Sequence, residues 1–170
     1  MDFGPQLTIW TIRLALALLV LGVVGKLRGI RSRFGRTMAR WLWTSGWVLA
    51  LIHMACAFQF YHHWSHEEAF QDTALQTKNL MGFEFGGGIY FNYAFIAVWG
   101  VDVIWSWLAA TSYSNRSLVW TVALWGFLVF MAFNSTVVFE TGPVRYFGVM
   151  ATGILCVLYC ARRRGKRGKI

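Results

Sequence analysis

Apolar runs alternate with short polar breaks along this chain, and five of the runs are long enough to cross a membrane. They cover residues of about 8–25, 41–60, 89–111, 118–139 and 146–161. A membrane-spanning helix needs roughly 20 mostly apolar residues. The pattern therefore predicts an all-α membrane protein with five transmembrane helices in one integral membrane domain, residues 1–170. A four-span alternative would leave the first or the last run on the membrane surface.

The longest polar break, residues 61–88, contains the signals of a shorter helix. Ser65 is a good N-cap, Glu68 stands at the capping-box position, and Gly82 is a typical stop. These signals predict a helix over about residues 66–81. Its apolar positions are Phe70, Ala74 and Met81, among polar neighbours. We expect an amphipathic helix on the outer face of the membrane.

The charges are segregated along the chain in a way that predicts topology. Of the 16 basic residues, 13 lie in the loop 26–40, at Arg116 or in the tail 162–170. Six of the seven acids lie at the opposite ends of the predicted spans, and the seventh is Asp102 within a span. Basic residues near span ends mark the cytoplasmic side. The N-terminus is therefore predicted outside and the C-terminus inside, most simply in a bacterial inner (plasma) membrane, with an organelle membrane as the alternative.

The net charge of +9 does not indicate nucleic-acid binding here, because the bases flank apolar spans and 57% of the residues are hydrophobic. The bases are first of all topology signals, and membrane lipids with anionic head groups are their expected partners. The residues assigned to this role are Arg28, Arg31, Arg33, Arg36, Arg162, Arg163 and Arg164.

A candidate metal site lies in the outer polar break. Imidazole and carboxylate ligands at helical spacing suit zinc or copper, and histidine also ligates haem iron. The candidate ligands are His62, His63, His66, Glu67, Asp72 and Glu84. The alternative is a belt of imidazole and aromatic groups at the outer interface. The N-cap at Ser65 favours this alternative, because it places His62 and His66 in different helices.

A second candidate is a pair of ionisable groups inside the spans. Counted from the expected inner span ends at about 1.5 Å per residue, His53 lies ~18 Å deep and Asp102 ~14 Å deep. Charged groups in a span usually face the bundle interior and have a partner. We therefore expect a contact between His53 and Asp102, which would serve proton transfer or would simply fix the helix register.

Three functions fit this sequence, and none of its patterns contains a complete catalytic set. The first is a non-enzymatic subunit or accessory protein of a larger membrane assembly, with other subunits or a second copy as partners. The second is a metal- or haem-handling protein that uses the outer histidines. The third is a small proton-coupled transporter that uses His53 and Asp102. The sequence does not identify a substrate or a reaction.

Overall fold

The computed structural model describes residues 3–28, 32–139 and 142–167, with side chains for all of these except 27–28 and 162–167. All secondary structure in the described residues is helical. The helices are α1 (Phe3–Arg28), α2 (Arg33–Phe60), α3 (His66–Met81), α4 (Gly88–Leu108), α5 (Ala110–Asn115), α6 (Leu118–Phe133) and α7 (Pro143–Arg167), with a π-helical turn over Asn134–Val138 after α6.

Within the part of the chain that the structure describes, five helices are long and apolar enough to cross a membrane, as the hydropathy pattern predicts. The spans are Phe3–Lys26, Arg33–Phe60, Gly88–Leu108, Leu118–Val138 and Pro143–Ala161. The first, second and last helices continue beyond the expected boundaries. The arginines between residues 33 and 40 lie within α2, because arginine is a good helix former and does not end a helix.

The third span ends earlier than expected. The chain leaves the helical conformation at Ala109, whose φ is −134° and ψ is 58°, and α5 begins directly afterwards. The expected straight helix to residue 111 is therefore broken, and α5 turns back beside the end of α4. Trp105 and Tyr113 meet edge to face across this bend, with their ring centroids 6.1 Å apart.

The short helix α3 has the bounds that the capping signals predict. Ser65 Oγ accepts a hydrogen bond from the Glu68 backbone N–H at 3.2 Å, and Gly82 ends the helix in the left-handed conformation at φ 82°. The capping box is only half formed. The Glu68 carboxylate contacts His63, while the Ser65 N–H donates to the His62 carbonyl at 2.6 Å.

The core lies where α1, α2, α4 and α6 meet. Trp43, Trp99, Leu19 and Leu128 are almost completely buried there. Small residues allow the large rings to enter, since a Cβ atom on Gly22 would lie only 2.5 Å from the Trp43 ring. Close approach at glycine is a common way for membrane helices to pack.

The two ends of the bundle differ in charge. We call the end where α1 ends and α2 begins the basic end, and the opposite end, where α3 lies, the α3 end. The described bases at the basic end are Lys26, Arg33, Arg36, Arg40 and Arg116. The acids Glu67, Glu68, Asp72 and Glu84 lie at the α3 end. This separation follows the expected charge pattern along the chain.

Candidate functional site: a buried carboxylate at the basic end

Asp102 in α4 is the centre of a buried polar cluster. Its side chain is 0% exposed, and both carboxylate oxygens accept hydrogen bonds. Oδ2 accepts from Trp43 Nε1 at 2.8 Å, from Tyr113 Oη at 3.0 Å and from Lys26 Nζ at 3.3 Å. Oδ1 accepts from the Arg116 guanidinium. A carboxylate that receives four donors is fully satisfied without water.

The local fold explains how these donors reach Asp102. The break at Ala109 lets α5 turn back, and this brings the Tyr113 hydroxyl to the side of α4 that carries Asp102. Ser117 then caps α6 through its side chain, and the preceding Arg116 extends from the loop towards the carboxylate. Lys26 comes from α1 and Trp43 from α2. The cluster therefore joins α1 and α2 to the stretch of chain from α4 to the loop before α6.

Aromatic rings surround the two cations. The Lys26 Nζ atom lies 4.2 Å from the ring centroid of Trp43 and 4.5 Å from that of Trp125. The Arg116 guanidinium lies 4.3 Å from the Tyr113 centroid and 5.3 Å from the Trp125 centroid. The electron-rich ring faces attract cations, most strongly where water is excluded. The rings thus compensate part of the hydration that the two cations lose.

The cluster is electrostatically costly to disturb. It holds two basic side chains, Lys26 and Arg116, around the single carboxylate of Asp102, and the Arg116 side chain is only 5% exposed. Burial, with the negative charge of Asp102, raises the pKa of Tyr113, so its hydroxyl keeps its proton and acts as a donor. Removing one partner from such a buried pair leaves an uncompensated charge, which is strongly destabilising.

The expected contact between His53 and Asp102 is not formed. His53 Nδ1 lies 2.9 Å from the Thr8 carbonyl oxygen on α1, whereas Asp102 lies level with Trp43. Trp43 and His53 are ten residues apart in α2, a rise of about 15 Å. Because α4 ends at Leu108, Asp102 also lies nearer the end of its helix than expected.

The histidines at the α3 end lie around a tight turn after α2. His63 and Trp64 both have positive φ, at 46° and 59°, which is uncommon for residues other than glycine. Trp64 is held there by a hydrogen bond from its Nε1 to Gln59 Oε1 at 2.9 Å. The turn and the Ser65 cap interrupt the helix, so His62 and His66 do not share one helical face.

Two of these histidines have separate carboxylate partners. His62 Nδ1 lies 3.2 Å from Asp72 Oδ2, close but not aligned as a hydrogen bond. His63 Nδ1 lies 3.1 Å from Glu68 Oε2, and both of these side chains are largely exposed. Each imidazole therefore makes a pair of its own.

The remaining candidate ligands are also engaged separately. His66 lies between two phenols, with Nδ1 2.9 Å from Tyr93 Oη and Nε2 3.3 Å from Tyr90 Oη. Glu67 accepts from Gln71 at 2.8 Å, and Glu84 accepts from Lys78 at 2.7 Å. Within residues 3–28, 32–139 and 142–167, no three histidine, cysteine or acidic side chains are grouped so that they could hold a metal ion. The six predicted ligands are not brought together.

The predicted lipid-facing bases are only partly visible. Arg33 and Arg36 lie in the first two turns of α2. Arg31 lies outside the described residues, as do the side chains of Arg28, Arg162, Arg163 and Arg164.

None of the partners of Asp102 was predicted from the sequence. Lys26 and Arg116 were assigned only to cytoplasmic loops, and Trp43 and Tyr113 were not considered as donors. A signal was present, because a carboxylate in a span needs a counter-charge, and Lys26 and Arg116 are among the bases that lie within two residues of an expected span end. No protein-family model, no curated protein and no solved structure matches this chain.

Proposed function

We propose that this chain is a non-enzymatic subunit or accessory protein of a larger membrane assembly. The observation that carries the proposal is the unequal packing of the spans. In their most apolar windows, 39% of the residues of the α1 span are buried, but only 11% of those of the α7 span. The side of the bundle that contains α1 is thus well packed and holds the buried ion pairs of Asp102, whereas α7 on the other side has few neighbours in its own chain.

The exposed side of α7 has features that suit contact with another protein. Cys156 and Cys160 are four residues apart and exposed, and together with Val157 and Ala161 they line a shallow apolar cleft. In a membrane, helices associate through close packing of small side chains and through weakly polar groups. A second subunit, or a second copy of this chain, would bury this surface.

The charge distribution supports one orientation for this subunit. With the basic end in the cytoplasm, the bases there follow the positive-inside rule, and the N-terminus and α3 lie outside. On α3, the exposed apolar residues Leu75, Leu80 and Met81 would then lie at the outer interface, which makes α3 an amphipathic surface helix. A bacterial plasma membrane fits this arrangement.

Purification under mild detergent tests the proposal. The chain is tagged, expressed in the organism that encodes it, and isolated in a gentle detergent, and its partners are quantified by mass spectrometry. We expect a stoichiometric partner or a homo-oligomer. Gly153→Trp should release it, because a Cβ atom at Gly153 would meet no neighbouring atom within 4 Å, so the added side chain would start on the open surface of α7, three residues before Cys156. Val101→Trp, at an exposed position on α4, is the control. A monodisperse monomer without partners would contradict the proposal.

A second candidate is proton-coupled transport through Asp102. It is favoured by one observation: an acid and two bases meet inside the bundle, and groups of this kind often mark proton or ion pathways. Asp102 would act with Lys26 and Arg116, since His53 is bound elsewhere. In proteoliposomes, Asp102→Asn should abolish proton-driven flux, while Trp43→Phe, which removes one neutral donor, should only reduce it. Unchanged flux in a folded Asp102→Asn variant would reject this candidate.

A further inference from the structure

The second span is longer than the apolar core of a membrane. α2 contains 28 residues, which gives a length of about 42 Å. The hydrocarbon core is about 30 Å thick, and the whole bilayer with its head groups about 40–45 Å. Since the apolar part of α2 runs to Phe60, the excess length lies at its beginning. The first two turns of α2 therefore stand in the head-group layer.

These two turns carry a stripe of arginines. Arg33, Arg36 and Arg40 are three and four residues apart, so their side chains leave the helix on one side. The helix begins at the Ser32 N-cap, where the free N–H groups add partial positive charge. The described acid at this end, Asp102, is buried and occupied by its own donors. The surface here is positive.

A second stripe beside the arginines is apolar. Phe34, Met38 and Trp41 are four and three residues apart, and their exposed fractions are 75%, 46% and 56%. Removing such large apolar groups from water is favourable. In the head-group layer, the glycerol and upper acyl region of a lipid provides this environment.

The stripes converge on a platform formed with α4. Trp41 and Trp107 meet edge to face, with centroids 5.0 Å apart, and the Arg40 guanidinium lies 4.9 Å from the Trp107 centroid. Trp107 is fixed by a hydrogen bond from its Nε1 to Thr44 Oγ1 at 2.9 Å. The platform holds Arg40 at the depth where tryptophan rings prefer to lie, next to the lipid phosphates.

We propose that this surface binds the phosphate of an anionic phospholipid. The phosphate would accept hydrogen bonds from the guanidinium groups of Arg33, Arg36 and Arg40, whose positive charges would balance the negative charge of the lipid. The planar guanidinium group can donate two parallel hydrogen bonds to a phosphate. The acyl chains would lie along Phe34, Met38 and the tryptophan platform. The inference does not depend on the assembly partner, because every contributing residue belongs to this chain.

Native mass spectrometry of the full chain in detergent tests this site. Phosphatidylglycerol and phosphatidylcholine are titrated separately, and bound lipid is counted. The test variant is Arg33→Gln/Arg36→Gln/Arg40→Gln. The control removes the same charge elsewhere, as Arg13→Gln/Lys78→Gln/Arg145→Gln. Each base near an anionic lipid contributes about fivefold in affinity, so the test variant should bind phosphatidylglycerol roughly 100-fold more weakly.

The control variant and two further variants separate this site from general electrostatic attraction. The control should change phosphatidylglycerol binding less than about threefold. Arg33→Lys/Arg36→Lys/Arg40→Lys should weaken it less than the test variant does, because the charge remains while the planar guanidinium groups are lost. Trp107→Leu should weaken binding and lower the melting temperature by only about 1–6 °C, since it removes one aromatic pair. Equal affinity of the wild type for the two lipids, or equal losses in the test and control variants, would overturn the proposal.

Discussion

Replacing Asp102 by asparagine should be among the most destabilising single changes in this protein. The substitution keeps the size of the side chain but removes its charge. Lys26 and Arg116 then remain in the bundle interior without a carboxylate. The asparagine NH2 group takes the place of one carboxylate oxygen, and since it is itself a donor it cannot accept the hydrogen bonds made there. Because the packing volume is unchanged, the loss of stability in this variant measures what the charge and the hydrogen bonds of Asp102 contribute.

The magnitude follows from the burial of the groups. Breaking a buried ion pair by removing one partner costs about 3–5 kcal/mol. For a chain of 170 residues, each kcal/mol corresponds to about 2–4 °C in melting temperature. The variant should therefore melt roughly 6–20 °C below the wild type in the same detergent, as followed by intrinsic fluorescence.

Two further variants make this prediction specific. Asp72→Asn is the matched control, because the Asp72 side chain is 48% exposed and an exposed pair contributes about 0–1 kcal/mol. The double variant Asp102→Asn/Lys26→Met should be more stable than Asp102→Asn alone, since it removes one of the two uncompensated cations. Equal melting temperatures for Asp102→Asn and Asp72→Asn would refute the reasoning.

Three other changes should have smaller, distinct effects. Gly22→Ala should lower stability by about 1–3 kcal/mol, because the new methyl group would overlap the buried Trp43 ring, and thermal melting measures this. Ser65→Ala should cost about 1 kcal/mol and reduce the helix content of α3, which hydrogen exchange reports. The Lys78 hydrogen bond and charge lower the pKa of Glu84 from its usual value near 4.5, so the stability from this pair is present above that pH and is lost on acidification. Glu84→Gln should flatten this dependence between pH 6 and 3.

Matched controls separate these effects from general damage. Gly126→Ala meets no atom within 4 Å and should be neutral or slightly stabilising, in contrast to Gly22→Ala. Glu67→Gln changes an acid whose partner Gln71 is neutral, so it should leave the acid dependence largely in place. A loss of stability in Gly126→Ala as large as that in Gly22→Ala would disprove the packing argument. A flattened dependence of stability on pH in Glu67→Gln would disprove the role of Glu84.

Features set by neighbouring residues could be predicted from the sequence. The bounds of α3 follow from Ser65 and Gly82, because capping is decided within a few residues. The five apolar runs likewise identify five helices long enough to span. The start of α2 at Arg33 was missed, since the interface of a membrane does not end a helix and the arginine-rich segment has good helix propensity.

Features set by contacts between distant segments could not be predicted in the same way. Lys26 and Asp102 are 76 residues apart, and Tyr113 reaches the same carboxylate because the break at Ala109 brings α5 back beside α4. No local pattern marks that break, because Ala109 is itself a good helix former. The expected contact between His53 and Asp102 failed partly for the same reason, since the depth of Asp102 was counted from the end of a straight third span, whereas α4 ends at Leu108.

Photo-cross-linking from Cys156 in native membranes is the most direct test of the proposed assembly role. A variant with Cys56→Ser and Cys160→Ser leaves Cys156 as the single thiol, exposed on α7, for a benzophenone maleimide. The control places the single cysteine at Val101 on α4, which is 59% exposed. A discrete protein adduct from Cys156 and none from the α4 position would support a subunit that binds its partner through α7. Adducts with lipid alone from both positions would contradict that account.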